Sequence, residues 1–252
     1  KIQPKPDLAQ RLKNQVLAKN RLDISMTGTL AIWANRELWS SLLDLQLDER
    51  QGQEWVEYQA QVVELVGKPE KVAKLSKELK ESREKWRSMI EKALQGKGAA
   101  DGVLPVLVDA CMDTLLFAGG LSVPMVLISI VGLRMNGVVP HHVVLDTTED
   151  AHGFALEAAR CFPAVFSVTQ WTGNRQTIVA LATAMTDPKV FGAHGRDYFD
   201  HKNKRGFDFD NDGMNFAEKA GPKYCCPGRA FALECIAAFA MAFDPNEWRV
   251  EG

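Results

Sequence analysis

Tyr224-Cys225-Cys226-Pro227-Gly228-Arg229-Ala230-Phe231-Ala232-Leu233-Glu234 is the stretch on which the reading of this chain turns. A cysteine stands two residues before a glycine, and an apolar segment rich in small residues follows. Cysteine binds metals as the thiolate, which needs N–H donors around its sulfur and a helix N-terminus behind it. Gly228 lets the backbone come close to that sulfur. The segment predicts a thiolate metal ligand at Cys226, at the start of a helix over Arg229 to Phe243.

Upstream of this loop, Thr186 to Ala220 is polar, rich in Asp, Lys and Gly, and reads as an irregular meander. Before it, Val165-Phe166-Ser167-Val168 and Thr177-Ile178-Val179-Ala180-Leu181 read as short strands flanking the turn Thr172-Gly173-Asn174. His152 to Phe162 predicts a short helix that ends before Pro163. It carries Glu157 and Arg160 one turn apart, the spacing of an i,i+3 ion pair. Glu84-Lys85-Trp86-Arg87 repeats that spacing elsewhere, so alone it marks no more than a surface pair.

Asp101 to Asn136 is a long apolar segment, and Thr114 to Leu133 contains no charge. That stretch meets the length rule for a membrane span. Gly119, Gly120 and Pro124 interrupt it, and a helix buried on all sides has the same composition, so the buried helix is preferred. Further upstream, Pro69 to Leu94 reads as an amphipathic helix with Val72, Leu75, Leu79, Trp86, Met89 and Ile90 on one stripe. Its Lys and Glu read as a solvated face. Gln53 to Val66 is another amphipathic candidate, and Pro6 to about Leu47 reads as two or three helices.

The chain has 252 residues, enough for a sizeable core. A net charge of −2 argues against a nucleic-acid partner or an anionic membrane surface on bulk charge. Five cysteines in no framework spacing point to a reducing compartment. The five histidines show no metal-ligand spacing. Cys111, Cys161, Cys225 and Cys235 read as small core hydrophobes. The first residue is Lys1, so the chain is read as processed or truncated.

Four features fall in a fixed order: the Gly119-Gly120 helix, the Glu157/Arg160 helix followed by Phe162-Pro163-Ala164-Val165, Asp187-Pro188-Lys189-Val190-Phe191, and the Cys226 loop. In this order they resemble the C-terminal half of the cytochrome P-450 superfamily, over about Asp101 to Phe243. The resemblance implies a mainly α fold with a small β component. It divides the chain into a helical N-terminal region, 1–100, and a P-450-like core, 101–252, without the family's N-terminal part. The closer likeness is to the allene oxide synthase and hydroperoxide lyase branch. Gly119-Gly120-Leu121-Ser122-Val123 stands where monooxygenases place an acid and a threonine, and Ala184-Met185-Thr186-Asp187-Pro188-Lys189-Val190-Phe191 is close to that branch's meander.

What this likeness implies is concrete. Haem is the cofactor, with Cys226 the axial ligand of its iron and Gly228 and Phe231 at its loop. Gly119, Gly120 and Ser122 line the distal face, and Glu157 and Arg160 form a structural ion pair. The substrate is a fatty-acid hydroperoxide, whose O–O bond is already present. A protein without an acid–alcohol relay can cleave that bond with no external reductase. The expected home is a plastid or other organelle, with the cytoplasm as fallback. The chain also departs from the family: Lys219 and Pro222 replace its usual phenylalanine and glycine, Tyr224 stands where a basic residue usually holds a haem propionate, and the chain is short. These departures motivate an alternative. The chain would then be a non-catalytic relative serving as a subunit of a larger, possibly membrane-bound assembly, associated through Thr114–Leu133.

Overall fold

A computed structural model of the chain describes residues 2–16, 18, 21–65, 77–136, 145, 148–163, 168–172, 175–180, 183, 187, 189, 228–244, 246–247 and 249–251. Those residues are mainly helical, with two small two-stranded sheets. In chain order they form α1 (Leu8–Gln15), β1 (Arg21–Asp23), α2 (Thr29–Leu43), α3 (Glu49–Leu65), α4 (Lys77–Gly96), α5 (Leu104–Asp113), a π-helical turn (Thr114–Ala118), α6 (Gly119–Met135), α7 (Thr148–Cys161), β2 (Val168–Thr172), β3 (Arg175–Val179), α8 (Arg229–Ala242) and β4 (Arg249–Glu251).

Helix α2 is the hub. Its apolar residues are not confined to one stripe, and Leu30, Trp33, Ala34, Leu38 and Trp39 are all buried. It packs against α3, α4, α6 and the π turn. Trp39, Trp55 and Trp86 come from α2, α3 and α4 and meet edge to face. The ring centroids lie 5.0 Å apart at 82° for Trp39–Trp55 and 5.2 Å apart at 83° for Trp55–Trp86. This is the geometry that ring quadrupoles favour. Helix α3 begins at a reciprocal cap: Gln51 N–H donates to Asp48 Oδ1 at 2.7 Å and Asp48 N–H donates to Gln51 Oε1 at 3.0 Å. Asp-x-x-Gln before a helix is a capping-box pattern, which is why α3 starts four residues before its apolar periodicity does.

A second packing group joins α1, α6, α7 and α8. Leu8, Leu12 and Val16 are buried at the α1–α8 side. β1 pairs in parallel with β4, Leu22 opposite Val250, so the two ends of the described chain meet in one sheet. One continuous buried cluster draws on both packing groups.

The long apolar segment is helical but not one regular helix. Leu104–Met135 is long and apolar enough to cross a membrane, its most apolar stretch having a mean hydropathy of 2.2, yet 53% of that stretch is buried inside the fold. A π turn divides it, and Pro124 sits inside α6. β2 and β3 form an antiparallel hairpin with Thr172 opposite Arg175. Positions 165–167 of the first expected strand lie outside the described residues, and the described strand continues past Val168 to Thr172. Residues 69–76, where the α4 periodicity was expected to begin, and nearly all of the meander lie outside the described residues.

Candidate functional site

Gly228 is the N-cap of helix α8 (φ −92°, ψ 3°), and among the described residues no side chain caps that first turn. The N-terminal turn of a helix presents N–H groups and the positive end of the dipole, which favour an anion. Cys226 and Cys225 lie outside the described residues, as do all positions 201–227. What can be placed is the frame around them. Phe231, in the first turn of α8, is 1% exposed and anchors that turn in the core. Ala232 N–H donates to the Gly228 carbonyl at 2.9 Å, the first bond of the helix.

Helix α7 lies against α8. On it, Glu157 is fully buried and Arg160 is 3% exposed. Arg160 Nε donates to Glu157 Oε2 at 2.8 Å and Arg160 Nη2 to Oε1 at 2.5 Å, a bidentate fork. Cys161 Sγ sits 3.4 Å from Glu157 Oε1 and 3.2 Å from Arg160 Nη2. The Glu84/Arg87 pattern behaves differently: Arg87 pairs with Asp109 of α5 at the surface, and Glu84 is exposed. Spacing was the same in both places, and burial separates them.

Two further contacts tie the unit together. His152 Nε2 of α7 stands 3.1 Å from Glu234 Oε1 of α8, at ion-pair distance though off the line of a hydrogen bond. Arg134, near the end of α6, donates to the Ala240 carbonyl at 3.2 Å, and its guanidinium lies 5.5 Å from the Phe154 ring centroid. Ala240 is in the last turn of α8, where carbonyls lack helical partners and cations are favoured. Burial pulls the Arg134 guanidinium below its ordinary value, and Asp244 acts in the opposite sense.

Gly119 and Gly120 face the N-terminal helices. A Cβ on Gly119 would stand 2.8 Å from Leu38 Cδ2 of α2. One on Gly120 would overlap the Leu115 carbonyl and the amide of Gln59. Both glycines are therefore committed to close helix packing. Ser122 is half-buried, on a half-open face of α6 with Leu121 and Met125.

Sequence reasoning missed the polar core beside these glycines. A π turn leaves carbonyls without their regular partners, and such turns recur at functional sites. Gln59 Nε2 donates to the Leu116 carbonyl at 2.6 Å and the Leu115 carbonyl at 3.2 Å. Asn35 Nδ2 donates to the Gly120 carbonyl at 3.0 Å and the Ala31 carbonyl at 2.9 Å, while its Oδ1 accepts from Trp55 Nε1 at 2.9 Å. The signal available was Asn35 itself, the one amide on α2, set among Ala31, Trp33, Ala34 and Leu38. Arg134, at the end of the apolar run, was missed as well.

Among the described residues no group of three or more His, Cys, Asp or Glu side chains is placed to hold a metal ion. Compared with models of protein families, with curated proteins and with solved structures, the chain matches none.

Proposed function

We propose that the chain is a haem-thiolate protein of the cytochrome P-450 type, related to the fatty-acid hydroperoxide lyases and dehydratases. One observation carries this reading: the buried bidentate Glu157–Arg160 pair sits on a helix packed against α8, which begins three residues after Cys226. A buried ion pair is costly to maintain and adds little stability over apolar packing. Its place beside the cysteine's helix gives it a use, holding that helix and its preceding loop in one orientation.

The residues available suit the group. Cys226 would be the iron ligand, the first turn of α8 would stabilise its sulfur, and Gly228 would admit it closely. Haem, when bound, supplies an iron-thiolate that cleaves a hydroperoxide O–O bond without an external reductase. Glu157 and Arg160 are positioning residues. The distal surface is the half-open face of α6 with Leu121, Ser122 and Met125. It offers an apolar bed for an acyl chain, and Leu121 moves no proton. Gly119 and Gly120 would shape that helix rather than touch substrate. A plastid or other organelle is the expected setting.

The test is the absorption spectrum of the reduced, carbon-monoxide-treated protein beside Cys226→Ala. A thiolate-type Soret band that the substitution removes supports the proposal and leads to hydroperoxide turnover assays. No haem band in the intact protein sinks it.

A second reading, a non-catalytic subunit of a larger assembly, has its own observation. Val103 is 52% exposed, Val106 70%, Phe117 39% and Met135 46%, all along Leu104–Met135 or just before it. Where exposed apolar side chains join into one patch, they mark interaction sites. This reading predicts no haem and recovery of the chain in a stoichiometric complex, in a membrane or in solution.

A further inference from the structure

We draw no further inference here: the strongest candidate, the exposed apolar face that Val106 and Leu107 give α5 and Phe117 gives the π turn, carries none because nothing in the structure shows what covers it.

Discussion

Glu157 and Arg160 stand one helical turn apart with almost no access to water, and the energetics of that pair are lopsided. Two ions lose hydration when buried, and their mutual attraction only roughly recovers it. Removing one partner leaves the other charged and stranded. Glu157→Ala is therefore expected to destabilise the protein by about 3–5 kcal/mol, whereas the paired change to Glu157→Met with Arg160→Met should cost far less. Urea unfolding of both proteins measures the difference. A single substitution that unfolds at the parent midpoint would show that the pair is solvated after all. The parallel Glu84/Arg87 positions provide the control, because surface charges of this kind are worth about 0–1 kcal/mol. Spectra of the same variants separate roles: a merely structural pair changes the unfolding midpoint, while a pair that orients the Cys226 loop as proposed would also change the haem band that the proposal predicts, in protein that is still folded.

At the scale of elements, the join between the π turn and α6 is where local geometry and tertiary packing meet. Asn35 and Gln59 satisfy carbonyls there, and they have room because Gly120 has no side chain. Gly120→Ala pushes a methyl into that network and should cost several kcal/mol, on the order of the loss of two buried hydrogen bonds. Gly132, further along the same helix, has nothing within 4 Å of the Cβ it lacks. Gly132→Ala should stabilise the protein by about 0.5–1 kcal/mol through helix propensity alone. Thermal melts of the two variants should move in opposite directions, and a shared direction would mean that packing does not distinguish the sites. The contrast also shows what sequence can reveal. Periodicity located α3, α7, α8 and the described part of α4 to within a few residues, because an apolar stripe and its caps are local properties, whereas for Pro6 to about Leu47 it gave only two or three helices without bounds. It could not show the π turn, whose partners come from helices more than fifty residues away in the chain. It identified Glu157, Arg160, Gly119 and Gly120, but not that the glycines turn toward α2 and α3, since facing depends on the neighbours a helix finds.

Across the whole molecule, the N-terminal segment and the helix behind the cysteine loop depend on each other. Leu12 of α1 is fully buried in the group that contains α8, and β1 pairs with β4 just after α8. Arg11 of α1 forks onto Glu37 of α2, Nε to Oε1 at 2.9 Å and Nη2 to Oε2 at 2.7 Å, which fixes α1 in place. Behind this layer lies Cys235, fully buried, its thiol pushed up by burial first and then by Glu37 and Glu234. A thiol that is buried and protonated does not react. Cys235 thus reports whether α1 stays docked. Leu12→Ala should cost about 2–5 kcal/mol and leave a cavity against α8. If α1 is the last layer over α8, the same substitution should raise the rate at which a thiol reagent modifies Cys235, because local opening now costs less than global unfolding. The site of modification is read by peptide mass spectrometry, so that Cys111 and Cys161, which are half-buried, do not confuse the result. Faster labelling of Cys235 with unchanged far-ultraviolet dichroism establishes local undocking of α1. Labelling that rises only in step with global unfolding would show instead that α1 and α8 open as one unit, and that the N-terminal segment is as much a part of the cysteine's helix frame as α7 is.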